Sequence, residues 1–76
     1  MKKKILESLL SVRPEGEFLK SDNFILDGLL DSFDVVLLVS DLDKKFDISI
    51  NGTDITIDNF TSINSIVDLV SRYTNN

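Results

Sequence analysis

The stretch Asp27-Gly28-Leu29-Leu30-Asp31-Ser32-Phe33-Asp34-Val35-Val36-Leu37-Leu38-Val39-Ser40-Asp41-Leu42-Asp43-Lys44-Lys45-Phe46-Asp47 decides the fold. Within it Val35, Leu38, Val39, Leu42 and Phe46 recur at steps of three, one, three and four. That spacing lines one face of an α-helix and predicts a helix over Ser32–Phe46. Asp31 or Ser32 supplies an N-cap oxygen. Lys44 and Lys45 fall in the last turn, where the helix dipole favours positive charge.

Two flanking segments carry the same period. From Lys3 to Val12, apolar Ile5, Leu6, Leu9, Leu10 and Val12 recur at helical spacing, with Glu7, Ser8 and Ser11 on the other side. Pro14 stops that helix, because the residue before a proline disfavours helical backbone. From Ile63 to Tyr73, residues Ile63, Ile66, Val67, Val70 and Tyr73 share a face, and Thr61 or Ser62 can cap it. Residues 73–76 are expected to end the chain as a flexible tail.

The connection from Arg13 to Asp31 contains Pro14, Gly16 and Gly28, yet also Phe18, Leu19, Phe24, Ile25, Leu26, Leu29 and Leu30. So many apolar residues predict a packed loop, and a loop of this length tends to be functional. Residues 47–59 admit two readings. Ile48, Ile50, Ile55 and Ile57 alternate with polar residues around Asn51-Gly52, which locally describes a β-hairpin. A lone hairpin is marginal without a third strand, which favours an extended loop and a short helical turn near Ile57–Phe60. The expected fold is all-α: a small four-helix bundle, one domain over residues 1–76, with a long loop between helices 1 and 2 and a short third helix.

Composition narrows the chemistry. The 76 residues include no His, no Cys and no Trp. That removes imidazole bases, Ser-His-Asp and Cys-His pairs and thiolate zinc sites, so an enzyme is not expected. The Asp-rich stretches 41–43 and 54–58 are too sparse for a calcium loop, and no metal site is expected. No apolar run exceeds Val35–Val39, so neither a membrane span nor a signal peptide is expected, and the expected location is cytoplasmic. The net charge is −5, unevenly placed: residues 21–58 hold nine Asp against Lys44 and Lys45. Phosphate backbones would be repelled, so nucleic acid is not an expected partner, and basic protein surfaces are.

Ser32 admits two uses. As an N-cap it is merely structural, and spacing alone favours this because serine is common at helix starts. As a phosphate-ester site it would gain from the free N–H groups and the positive dipole end gathered there. Phe33, Val36 and Leu37 lie off the core stripe. Exposure of Phe33 and Leu37 would give an apolar patch beside Ser32, the kind of surface that meets a partner.

Taken together, Asp27-Gly28-Leu29-Leu30-Asp31-Ser32-Phe33-Asp34, the apolar helix ending in Phe46-Asp47, and the Asn59-Phe60-Thr61-Ser62-Ile63 step into a last amphipathic helix resemble the acyl carrier protein family. The resemblance covers nearly the whole chain. It implies 4′-phosphopantetheine taken from coenzyme A and joined to Ser32, its thiol holding cargo as a thioester. It implies that Asp31 aids recognition by a phosphopantetheinyl transferase and that Phe33, Asp34, Leu37 and Asp41 contact partners. Those partners would be the transferase, an adenylating acyl or aminoacyl ligase, and a downstream acyltransferase or synthase, visited by a monomer. Fatty-acid carriers usually show Gly-x-Asp-Ser-Leu. Here Gly28 lies four residues before Ser32, Phe33 replaces leucine, and Lys44 and Lys45 are basic. The form looks closer to carriers of the D-alanyl or peptidyl type. The alternative is a small helical protein-interaction module without cofactor, in which Ser32 only caps.

Overall fold

The apolar stripe of Ser32–Phe46 becomes the central helix. The computed structural model of the chain describes residues 1–74. It contains three α-helices, α1 (Lys2–Val12), α2 (Ser32–Phe46) and α3 (Ile63–Thr74), and three 3-10 turns, Phe18–Lys20, Gly52–Asp54 and Ile57–Phe60. Val35, Leu38, Val39 and Leu42 of α2 are buried against Ile5 and Leu9 of α1 and Ile66, Leu69 and Val70 of α3. Ser62 caps α3, its Oγ accepting from the Ser65 N–H at 3.1 Å.

The all-helical expectation holds among the described residues, which contain no strand. The count of four helices does not. The short third helix is a four-residue 3-10 turn, Ile57–Phe60. The Asn59 N–H closes on the Thr56 carbonyl, three residues back, and its side-chain amide donates to the Asp54 carbonyl at 2.7 Å. Too few residues remain before the Ser62 cap for α-type bonds to propagate.

The hairpin alternative around Asn51-Gly52 fails for a traceable reason. Backbone donors a first strand would need are already committed. The Ile48 N–H goes to the Asp43 carbonyl, the Ile50 N–H to Asp43 Oδ1 and the Asn51 N–H to the Tyr73 hydroxyl. That hydroxyl in turn donates to Asp54 Oδ2 at 2.5 Å. Tyr73, read both on the third helical stripe and at the start of the tail, and Thr74, read as tail, belong to α3, and Tyr73 ties the 51–54 segment to it. Asn75 and Asn76, the rest of that tail, lie outside the described residues.

The loop 13–31 is packed, as its apolar content predicted. Phe18, Phe24 and Leu30 are buried, and the Phe24 ring meets the Phe18 ring edge-on at 5.1 Å. The Phe24 N–H donates to the Thr61 carbonyl at 2.7 Å. The Phe24 carbonyl accepts from Leu29 and Leu30, which curls the chain toward α2. Gly28 completes that curl at φ +74°, a conformation that costs a side-chain-bearing residue strain.

One assignment on α1 is reversed. Ser8, read onto the polar side, is wholly buried, while Leu10 is at the surface. Ser8 sits three after Ile5 and one before Leu9, inside the stripe that faces α2 and α3. Its hydroxyl has no hydrogen-bond partner among the described residues. A buried hydroxyl without a partner costs about 1–3 kcal/mol. Ser8→Ala is therefore expected to stabilise the protein by about 1 kcal/mol. A urea denaturation curve checks this through a raised midpoint at unchanged slope.

Candidate functional site

Asp31 leaves the loop with extended backbone and enters α2 as its N-cap. Its Oδ1 accepts from the Asp34 N–H at 2.9 Å, and Asp34 Oδ2 accepts from the Asp31 N–H at 3.2 Å. This reciprocal capping box satisfies donors that a helix start otherwise leaves open. The capping role, left open between Asp31 and Ser32 by the sequence, falls to Asp31. Ser32 becomes the first helical residue, exposed, and no described residue hydrogen-bonds its hydroxyl.

Asp34 departs from its expected role. The sequence offered it as a partner contact. It is 7% exposed and turned toward Arg13. The reason is its second duty in the capping box, which points its carboxylate back along the helix toward the end of α1. Arg13 Nε donates to Asp34 Oδ2 at 2.9 Å, and Arg13 Nη2 lies 2.7 Å from the same oxygen and 3.8 Å from Asp31 Oδ2. Burial alone pushes the Asp34 carboxyl up. The Arg13 hydrogen bond, the Asp31 backbone donor and the guanidinium charge outweigh it and hold the carboxyl below its usual range.

The sign of the pH effect follows. A carboxyl whose folded pKa is depressed adds stability that is fully present above the unfolded value, near 3.9, and is lost as pH falls through the lower folded value. Melting temperature is expected to fall on acidification below about pH 4, and less steeply in Asp34→Asn than in the wild type. Parallel acid limbs in the two proteins would contradict this.

The surface beside Ser32 is apolar. Phe33 is 70% exposed and Val36 60%, and Leu37 is also exposed. These residues form a stripe on α2 opposite its core face. Ile57, 64% exposed, borders this stripe by sharing a groove with Val36. A groove of about 260 Å³ runs past Ser32, lined by Ile25, Val35, Val36, Ile55 and Ile57. The alternation of Ile55 and Ile57 was visible in the sequence, but the tie of the preceding 51–54 segment to Tyr73 was not. Leu37 and Asp41 line a separate shallow groove with Ser11, Val12 and Lys44. Asp41 is half-buried and 3.9 Å from Lys45 Nζ. A larger groove of about 440 Å³ at Lys2, Phe18, Asp22 and Asn64 does not include Ser32. Arg13 also escaped the sequence reading; a lone arginine before a proline carries no local signal of a partner 21 residues away.

The start of α2 thus brings together an exposed hydroxyl, an apolar groove and an exposed apolar face. The family model for the phosphopantetheine attachment site matches residues 3–70. The chain belongs to that family, the family of the acyl carrier proteins. Its members carry 4′-phosphopantetheine covalently on a serine, typically act as carriers rather than catalysts, and meet transferases and synthetic enzymes. Neither the curated proteins nor the solved structures provide a match to the chain. Among the described residues no helix is long and apolar enough to cross a membrane.

The residues present fit the cofactor. The attachment needs an accessible hydroxyl that is not already engaged, and Ser32 has one. It also needs room for a phosphodiester at the helix start, where the dipole and unpaired N–H groups favour an anion.

Proposed function

We propose that Ser32 is the attachment serine and that the protein is an acyl or aminoacyl carrier over a single domain of residues 1–76. The observation that carries this is the division of labour at the start of α2: Asp31 caps, and Ser32 keeps a free, exposed hydroxyl. The bound arm supplies a thiol that holds the cargo as a thioester. The chain's own residues do the rest. Ser32 offers the oxygen, Asp31 fixes the helix start, and the groove of Ile25, Val36, Ile55 and Ile57 presents apolar surface to a short acyl or aminoacyl group.

Phe33, Val36 and Leu37 form the docking face, with Ile57 across the groove from Val36 and Asp41 at the α2 side of the neighbouring groove. Asp34 is withdrawn from that list by its pairing with Arg13. The partners are a phosphopantetheinyl transferase, an adenylating ligase and an acceptor acyltransferase or synthase. Phe33 after the serine and the basic pair Lys44 and Lys45 favour the D-alanyl or peptidyl type over a fatty-acid carrier. The protein contributes no catalytic group and acts as a monomer in the cytoplasm, where coenzyme A is at hand. Incubation with coenzyme A and a broad-specificity transferase, followed by intact-mass spectrometry, tests the reading. A gain of one phosphopantetheinyl group is expected; no gain overturns it.

A further inference from the structure

We propose that Arg13 is a positioning residue for the loading of Ser32, acting through the capping box of α2. The inference rests on Ser32 being the attachment serine. Arg13 follows the last residue of α1, and its N–H still bonds the Leu9 carbonyl at 2.9 Å, so its backbone is anchored to that helix. Its guanidinium holds Asp34 Oδ2 through Nε and Nη2. The same oxygen accepts from the Asp31 N–H, so Arg13 and the backbone of the residue before Ser32 share one acceptor. No described residue hydrogen-bonds the Ser32 hydroxyl to hold it. The Asp31–Ser32 backbone sets where the Ser32 Cβ, and so its hydroxyl, can sit, and Arg13 fixes that backbone to α1.

Charge adds a second effect. Asp31 and Asp34 flank Ser32 in sequence, and Arg13 Nη2 lies within 3.8 Å of a carboxylate oxygen of each. In the loading step the Ser32 oxygen forms a bond to the pantetheine-bearing phosphorus of coenzyme A. The bond from that phosphorus to adenosine 3′,5′-bisphosphate breaks, and the hydroxyl proton passes to a base on the transferase. The incoming phosphates are anionic, and Arg13 offsets the two carboxylates they approach. A planar fork can serve Asp34 through two nitrogens and still reach Asp31; a lysine ammonium cannot do this equally well.

Steady-state kinetics of loading, with this protein as the varied substrate, test the proposal in wild type, Arg13→Gln and Arg13→Lys. Amide hydrogen exchange at Asp34 and Val35 is measured on the same unloaded proteins. Arg13→Gln is expected to lower kcat about tenfold with KM little changed, since small misplacement of a nucleophile acts on the chemical step. Exchange at Asp34 and Val35 is expected to quicken, and Arg13→Lys to fall between the two. An unchanged kcat, or a loss wholly in KM, overturns positioning and makes Arg13 a docking residue. If Arg13→Gln does not fold, Arg13→Lys decides, and wild-type kcat and exchange in that variant overturn the proposal. A wild type that never gains the phosphopantetheinyl group overturns the carrier reading instead. Unchanged exchange in a folded Arg13→Gln overturns the tie between Arg13 and the cap whatever the loading result.

Discussion

Ser32→Ala is expected to abolish cofactor loading completely and to leave the fold intact. The first half follows from chemistry: alanine has no oxygen to take the phosphorus. The second follows from the capping geometry. Loss of an N-cap costs about 1 kcal/mol, but the cap here is Asp31, so that penalty does not fall on Ser32. The Ser32 side chain is exposed and its hydroxyl bonds no described residue, and alanine is the better helix former. The stability change should stay within about 0.5 kcal/mol. Asp31→Ala, by contrast, should lose about 1 kcal/mol. Intact-mass spectrometry and thermal melts of the two variants separate the carrier from the cofactor-free interaction module. The module needs Ser32 to be the cap, and so needs the stability loss to appear in Ser32→Ala.

Phe24→Ala is expected to cost about 3–5 kcal/mol. A chain of 76 residues has roughly 4–11 kcal/mol of total stability, so this one change brings it near unfolding. Phe24 is fully buried, packs edge-on against Phe18, and its backbone joins the loop 13–31 to Thr61 and to Leu29 and Leu30. Removing the ring leaves a cavity under the loop that delivers Asp31 and Ser32 to α2. Urea midpoint and protease cleavage within residues 13–31 measure the effect. A loss under about 1 kcal/mol would mean that the loop is held by its backbone bonds alone.

Helix periodicity made most of the fold legible. The stripes of Val35, Leu38, Val39 and Leu42 and of Ile66 and Val70 are buried as read. What escaped depends on long-range pairing. Ser8 looked polar because residue type was weighed over angular position. The Asn51-Gly52 hairpin looked plausible because the donors at Ile48, Ile50 and Asn51 are claimed by Asp43 and Tyr73, which the local pattern does not reveal. At the site, position alone made Ser32 a cap, whereas the exposure of Phe33 and Leu37 could be read from position on the helix. The inward turn of Asp34 could not, because its cause is Arg13, on another element.

The bond from Tyr73 to Asp54 has an optical consequence. The chain has one tyrosine and no tryptophan, so a single phenol dominates its near-ultraviolet spectrum. That phenol ties down the segment leading into Ile55 and Ile57, and the Asp54 carboxylate raises its pKa. Release of the segment returns the phenol toward its ordinary value near 10. Tyr73 is thus a built-in reporter of the segment that leads into the groove, and alkaline absorbance titration follows the release of that segment without any added dye.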